Sequence, residues 1–307
     1  MKKICFVLIL VFTANSITAQ YTEIINSKRP GFSESPYSIG SDVLQFEGGF
    51  FYETNKEGNI YDNSGYGGKL FVRYGKFLEK LEINAEVTYQ KDEITEPPLE
   101  TYNTNGISKL TIGAKYLVRE QKYTDKSKEI RSYKRRMAFD KKRLIPSIGV
   151  YAGYNTNFVA DAYKQEDRSF KAALLLQNDL SNRFVILTNL IADNISLENK
   201  FYSHIVTATY AINYKWSFFV ENQGFYKKTA SPKFNVGGGI AYLWNSNLQL
   251  DASYRTLLFN NIEHTYTSVG ASWRWDRHSD EIINKNQPDS PLRKKRGNFF
   301  SRLFKKN

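Results

Sequence analysis

Charged side chains alternate with apolar ones along many segments of this sequence, and they are the residues that could do chemistry. Residues 81–90 show the pattern most clearly, with Glu82 and Glu86 separated by apolar positions. In an extended chain, neighbouring side chains point to opposite sides, so these charges share one face. If a sheet closes around that face, charges of both signs either line an aqueous passage and select solutes, or pair across the interior and close it.

We expect ten side chains either to line an aqueous passage or to pair across the interior, and the sequence does not decide between these roles for any of them. Glu53 and Lys109 occupy the same kind of position on their segments. The ten predicted interior residues are Glu47, Lys69, Arg73, Glu82, Glu86, Lys115, Glu221, Asp251, Arg255 and Arg274.

Catalysis has little support in the sequence. Enzymes that are membrane barrels and act on lipids use a serine, a histidine and a polar group that orients the histidine. Of the three histidines, His204, His264 and His278, we consider His204 beside Ser203 as the candidate, and nothing in the spacing demands a catalytic pair. There is no histidine pair with metal-ligand spacing and no glycine-rich phosphate loop. We therefore predict no enzyme, no catalytic residue, no metal and no cofactor.

The elements that must position the charges are about ten residues long and alternate with period two, as transmembrane strands do. Twelve such segments follow one another, an even number, as single-chain bacterial barrels require. The predicted strands are 43–53, 66–76, 81–90, 109–118, 144–154, 169–178, 184–191, 203–212, 217–226, 234–243, 248–257 and 265–275. We therefore predict an all-β fold, a transmembrane antiparallel β-barrel of about twelve strands over residues 42–276.

The connections alternate between short and long, which assigns them to two sides of a membrane. Outer-membrane barrels have short periplasmic turns and longer outer loops. The short turns fall near 76–80, 180–183, 213–215 and 245–247, and we predict that they are periplasmic. The exception is the long segment 119–143, which this order also places in the periplasm.

The composition favours a membrane barrel over a soluble β-sandwich. Aromatic residues make up 15% of the chain, and they concentrate near the ends of the predicted strands, as in the aromatic girdles of membrane barrels. The apolar face of a sandwich would instead be rich in Val, Ile and Leu. A mean hydropathy of -0.51 argues against a bundle of membrane helices.

Residues 1–19 have the features of a secretory signal, which predicts the cell outer membrane as the destination. Lys2 and Lys3 precede a short apolar stretch, and small residues lead to Ala19. The only cysteine, Cys5, lies in this segment, so the mature chain would have no thiol. The next segment, 20–41, is rich in turn-forming residues. It either plugs the lumen, with Arg29 paired to an interior carboxylate, or simply leads into the barrel.

The net charge of +12 is concentrated in two segments. Residues 119–143 carry eleven basic and four acidic residues, and residues 285–307 carry eight and one. Both are predicted to face the periplasm, the second within a basic tail at 277–307. They could contact anionic lipid, a cell-wall polymer or a protein, and the tail could equally be disordered. The signal segment argues against nucleic acid as a partner.

A short opening motif carries a resemblance to a known family. Residues 27–36, followed by Gln45-Phe46-Glu47-Gly48-Gly49, and residues 248–254 near the end resemble the family named Putative MetA-pathway of phenol degradation. Ser27-Lys28 stand where that family usually has Thr-Asp. The resemblance implies an outer-membrane channel or transporter, with membrane lipid around it, for small solutes such as aromatic or apolar compounds. The alternative is a non-transporting barrel whose basic segments recruit a partner.

Overall fold

Twelve antiparallel strands close into one barrel in the computed structural model. The model describes residues 24–57, 61–76, 78–95, 101–124, 132–133, 138–165, 167–228, 230–257 and 262–278. Each strand pairs with its neighbours in sequence, and β1 pairs with β12 to close the ring. The strands are β1 (Val43–Glu57), β2 (Tyr61–Gly75), β3 (Leu81–Thr95), β4 (Tyr102–Arg119), β5 (Ser147–Asn155), β6 (Ser169–Asp179), β7 (Phe184–Asp193), β8 (Phe201–Ala211), β9 (Trp216–Lys227), β10 (Ala230–Asn245), β11 (Leu248–Leu257) and β12 (Ile262–Asp276). The predicted fold class and strand number are confirmed.

Some strands, β2, β4 and β5 among them, begin at residues other than those predicted. β2 and β4 begin earlier than predicted, at Tyr61 and Tyr102, because ladder hydrogen bonds continue through polar residues that lack the apolar alternation. β5 begins later, at Ser147, because Lys141–Leu144 form a 3₁₀ turn in which the side chain of Asp140 accepts a hydrogen bond from the N–H of Lys142. A second 3₁₀ turn lies at Asp161–Tyr163.

The two faces of the wall have opposite character. The outer face exposes apolar and aromatic side chains, such as Phe50 (75% exposed) and Trp273 (47%). The inner face buries charged ones, such as Arg73 and Lys115, at 1% and 0% exposure. A soluble protein buries apolar residues, so this inverted arrangement is that of a wall with lipid outside.

The start of β1 and the end of β12 lie at the same end of the barrel as the short turns after β2, β6, β8 and β10. By the rule for bacterial barrels we call it the periplasmic end and the opposite one the outer end. Aromatic side chains pack on the wall at the periplasmic end, with Phe46 stacked on Trp273 at 5.9 Å between ring centroids. Tyrosines such as Tyr66 and Tyr89 are exposed toward the outer end.

Several predicted segments fall outside the described residues. They are the signal at 1–19, the tail from 279 onwards and much of 119–143. Among described residues near that basic segment, Arg143 donates to the carbonyl oxygen of Asp179 (2.8 Å) and lies over the ring of Tyr123. No helix in the described part of the chain is long and apolar enough to cross a membrane.

Candidate functional site

Residues 24–41, here called the lumenal segment, run through the interior of the barrel. The segment begins at the periplasmic end, where Ile25 N–H donates to the carbonyl oxygen of Ser246 (2.8 Å). It crosses the lumen and returns to the periplasmic end before β1, and residues 33–40 are all buried. Twelve strands enclose more space than wall side chains alone can fill, so a length of chain fits inside.

Arg29 ties the segment to the wall by an ion pair. Its Nη2 lies 2.8 Å from Oδ1 of Asp251, whose side chain is fully buried. Its own carbonyl oxygen accepts a hydrogen bond from Nε2 of Gln249 (3.0 Å). Two wall glycines make room for the guanidinium, since a Cβ at Gly49 or Gly270 would overlap it. The pair is therefore held by charge, by a hydrogen bond and by shape.

Carboxylates of the wall satisfy the backbone of the lumenal segment. An irregular chain in a barrel has no strand beside it, so its N–H groups need side-chain acceptors. Oε2 of Glu47 accepts from the N–H groups of Lys28 (2.9 Å) and Arg29 (3.2 Å). Oε2 of Glu221 accepts from those of Phe32 (3.0 Å) and Ser33 (3.2 Å). These carboxylates act as fixed anchors for the segment.

An amide side chain of the wall also binds the backbone of the lumenal segment, at Glu34. Oδ1 of Asn189 accepts from the N–H of Glu34 (2.6 Å), and its Nδ2 donates to the carbonyl oxygen of Glu34 (2.9 Å). The hydroxyls of Tyr37 and Ser147 lie 2.6 Å apart. The lumenal segment therefore contacts β1, β5, β7, β9 and β11, which lie all around the barrel, so it spans the full width of the lumen.

A buried charge cluster lies beside the segment in the periplasmic half. Arg73 binds Glu82 (2.8 Å) and Glu47 (3.0 Å), with all three side chains at most 1% exposed. Lys115 binds Glu82 (3.4 Å) and Glu34 of the lumenal segment (3.0 Å). Opposite charges at such distances in a water-poor interior hold each other strongly. Together with the segment, the cluster fills this half of the lumen.

The outer half of the lumen contains a cavity of about 480 Å³. Lys28 and Phe32 of the lumenal segment form its floor, and Lys69, Arg255 and Tyr266 are among its wall residues. The cavity is the part of the interior that side chains leave unfilled, and it lies between the segment and the outer end.

The loop between β5 and β6 folds inward at the outer end. Tyr163 donates from its hydroxyl to Oδ2 of Asp92 (2.8 Å), and Ala160 N–H donates to the carbonyl oxygen of Ile107 (2.9 Å). Burial, together with the neighbouring Asp92, raises the pKa of Tyr163 to about 12, so the phenol keeps its proton at neutral pH. The loop narrows the outer mouth above the cavity.

The ten predicted interior residues lie in four places. Glu47, Arg73, Glu82 and Lys115 form the buried cluster, and Glu221 and Asp251 anchor the lumenal segment. Lys69, Glu86 and Arg255 line the outer cavity. Arg274 lies near the periplasmic end, where it donates to Asn247 (2.9 Å) and pairs with Asp276 (3.3 Å).

Sequence reasoning missed several polar residues of the interior. Lys171 and Asp193 line the cavity, 4.0 Å apart, and both follow the same inward alternation on β6 and β7. That alternation alone could have identified them. Asn189 lies on the same inward face of β7 as Asp193, so alternation could have identified it too. Phe32 carried no such signal, because an aromatic residue in an irregular segment has many ordinary roles.

Ser203 and His204 point to opposite faces of β8. Ser203 is buried on the inner face of β8, whereas His204 lies on the outer face and contacts Asn222 and Tyr226 at 3.1 Å each. His278 contacts Ser41 at the periplasmic end, and His264 borders the cavity. Within the described ranges, no group of three or more His, Cys, Asp or Glu side chains could hold a metal ion.

Comparison with known proteins gives the barrel its context. A family model described as Putative MetA-pathway of phenol degradation matches residues 27–275. The COG4313 outer membrane channel from Pseudomonas putida F1 superposes with a TM-score of 0.58 at 9% identity, over 81% of this chain and 100% of that chain. At this identity the likeness is one of fold, that of an outer-membrane barrel. No curated protein sequence matches this chain.

Two further solved barrels are similar at lower TM-scores. The translocator domain of autotransporter NalP from Neisseria meningitidis gives 0.49 at 10% identity, over 77% of this chain and 89% of that domain. The CymD monoaromatic hydrocarbon channel gives 0.41 at 10% identity, over 78% and 90%. Neither score is high enough to refine the assignment.

Proposed function

This chain belongs to the Putative MetA-pathway of phenol degradation family, and we propose that it is an outer-membrane channel for small solutes, aromatic or apolar compounds among them, gated by its own lumenal segment. In this proposal the closed state is the one described above. A solute enters the outer cavity, and it passes to the periplasm when residues 24–41 move aside. Catalysis has no part in this proposal.

The position of the lumenal segment is the observation that carries the proposal. Its contacts with the wall are mainly hydrogen bonds and ion pairs, such as those of Arg29 with Asp251 and of Phe32 N–H with Glu221. Water can take over polar contacts of this kind at little cost. The polar contacts of the segment can therefore be exchanged for contacts with water, as a gate requires, while Ile25, Tyr37 and Ile39 are among its buried apolar residues.

The unfilled cavity supports a channel over a barrel that serves only as a scaffold. A structural interior is normally packed to high density, because empty space sacrifices dispersion contacts. Here the periplasmic half is filled and the outer half holds about 480 Å³ of open volume. The scaffold alternative depends on the basic segments at 119–143 and 285–307, and the test below separates the two roles.

The test is a reversible lock on the lumenal segment. The hydroxyl oxygens of Ser27 and Ser272 lie 2.6 Å apart, close enough for a disulfide after S27C/S272C replacement. Cys5 is the chain's only cysteine, so no other mature thiol interferes if the signal is removed. In planar bilayers, we expect the reduced variant to conduct and the oxidised variant to stay closed, with conductance returning after reduction.

A second serine pair provides the matched control. Ser253 and Ser268 lie 2.9 Å apart on neighbouring wall strands and do not belong to the segment. We expect S253C/S268C to conduct equally when oxidised or reduced. If the S27C/S272C variant conducts the same in both states, the segment is not the gate. If neither the wild type nor a variant lacking residues 24–41 conducts or swells liposomes, the channel itself is refuted and the scaffold gains support.

A further inference from the structure

We propose that the outer cavity is a binding site for a small aromatic carboxylate, with Lys69 and Arg255 holding the carboxylate and Phe32 and Tyr266 holding the ring. This inference rests on the proposed channel function and names its solute class: an organic anion instead of a neutral apolar compound. Four observations support it, two on the cations, one on the charge balance and one on the size of the cavity.

Lys69 is a partly buried cation without a carboxylate partner in the described part of the chain. Among the described residues no Asp or Glu oxygen lies within 4 Å of its Nζ, although the neighbouring lysines of the cavity have such partners. Its ammonium instead lies 4.7 Å from the ring centroid of Tyr266 and 4.9 Å from those of Phe32 and Phe51. Rings attract a cation less strongly than a carboxylate does, so Lys69 remains available to an anion from solution.

Arg255 presents a second unfilled donor next to the same rings. Its Nη2 donates to Glu221 (3.0 Å), but its buried Nη1 has no hydrogen-bond partner. The centre of its guanidinium lies 3.2 Å from the ring centroid of Phe32 and 5.3 Å from that of Tyr266. A planar guanidinium with free donors is the side chain best suited to a carboxylate. Two cations therefore flank two aromatic rings.

The charges around the cavity favour an anion as the guest. Five basic side chains line it, Lys28, Lys69, Lys109, Lys171 and Arg255, against three acidic ones, Glu53, Glu86 and Asp193. Glu86 is shared by Lys28 (3.2 Å) and Lys109 (3.7 Å). Like charges enclosed by a low-dielectric wall repel further cations and attract anions. An entering carboxylate would offset the surplus.

The size of the cavity and its aromatic lining indicate a single ring. Small-molecule sites span about 300–1,000 Å³, and the volume of about 480 Å³ lies in the lower part of that range. Phe32 and Tyr266 pack at 5.4 Å between ring centroids with their planes tilted by 53°, and together they give the cavity an aromatic wall that a flat ring can contact. Phe32 belongs to the lumenal segment, so the bound anion would contact the gate directly.

The test measures benzoate binding to the purified full-length protein by calorimetry. Benzamide is the neutral analogue of the same shape, and cyclohexanecarboxylate is the anion without an aromatic ring. We expect benzoate to bind about tenfold more tightly than benzamide, the size of one charge-assisted hydrogen bond, and more tightly than cyclohexanecarboxylate. Lys69→Gln should abolish the preference for benzoate over benzamide, and Lys69→Arg should keep it.

Lys69 is the informative position because its replacement breaks no ion pair, so folding is preserved. Lys56→Gln, at an exposed lysine of β1 that pairs with Asp62, is the matched control and should bind benzoate as the wild type does. Equal binding of benzoate and benzamide, or an unaltered preference in Lys69→Gln, would overturn the inference. If the barrel conducts but does not prefer benzoate, the binding-site inference is refuted and the channel function is not. If it prefers benzoate but never conducts, the channel function is refuted and the binding site is not.

Discussion

The guanidinium of Arg29 lies 2.8 Å from the carboxylate of Asp251, a residue 222 positions later in the sequence. Asp251 is the fourth residue of β11, near the periplasmic end, and its side chain is fully buried. The pair therefore fixes the lumenal segment to the wall at β11, which only β12 separates from β1, the strand into which the segment continues. Weakening it should favour the open state.

Replacing Asp251 with asparagine should increase channel opening. Asparagine keeps the shape but removes the negative charge, so Arg29 loses its ionic partner. Removing one member of a buried pair costs about 3–5 kcal/mol, and a loss of only about 1.4 kcal/mol from the closed state would raise the open population tenfold. Single-channel recording in planar bilayers measures this population. Asp62→Asn, which affects an exposed pair at the outer end, should leave it unchanged.

Replacing Gly49 with alanine should also increase channel opening, because the added methyl group would displace Arg29 without any change of charge. A Cβ at this position would overlap the guanidinium of Arg29, whereas a Cβ at the adjacent Gly48 would meet no atom closer than 3.9 Å. We expect Gly49→Ala to conduct more than the wild type and Gly48→Ala to match it. Adding Arg29→Ala to Gly49→Ala should give no further rise, because both changes remove the same contact. Additive effects of the two changes would contradict this explanation.

Replacing Arg73 with glutamine should destabilise the whole barrel. Arg73 neutralises both Glu47 and Glu82, all three being at most 1% exposed, so its loss leaves two carboxylates buried together. We expect the free energy of unfolding to fall by about 3–5 kcal/mol. Urea unfolding in detergent, followed by the gel shift between folded and unfolded barrel, measures it. The exposed Lys56→Gln variant should unfold like the wild type.

Replacing Tyr163 with phenylalanine should loosen the loop at the outer mouth. The phenol is the group that donates to Asp92 (2.8 Å), and one such hydrogen bond contributes about 1 kcal/mol. We expect trypsin to cut after the exposed Lys164 about fivefold faster, since local opening sets the rate of cleavage. The exposed Tyr102→Phe variant serves as a control. An equal rate of cleavage in the two variants would show that the hydrogen bond does not hold the loop.

The alternation of apolar and polar residues predicts the strands but not all of their bounds. Alternation located all twelve, because successive side chains of a pleated strand point to opposite sides whatever the rest of the molecule does. The prediction began β2 and β4 too late, at the outer end, where hydrogen bonding continues without an apolar face. It also began β5 at 144, because Leu144 is apolar although it belongs to a 3₁₀ turn.

The same alternation assigned the charged residues to the interior face but left their role open. It treated Glu47 and Lys69 alike, yet Glu47 anchors the backbone of the lumenal segment and Lys69 has no ionic partner among the described residues. The difference depends on what lies opposite each residue across the lumen. The local sequence contains no information about which residue lies opposite another across the lumen.

The sequence by itself determined the class of fold, the number of strands and the inward face of the charged residues named above, since a strand in lipid must be apolar outside and every backbone group must pair with a neighbouring strand. Only the closed tertiary structure decided which charges meet. Closure places Arg29 beside Asp251, and Phe32 N–H beside Glu221, at separations of 222 and 189 residues. It also leaves Lys69 and Arg255 facing an empty volume, because the lumenal segment fills only half of the space that twelve strands enclose.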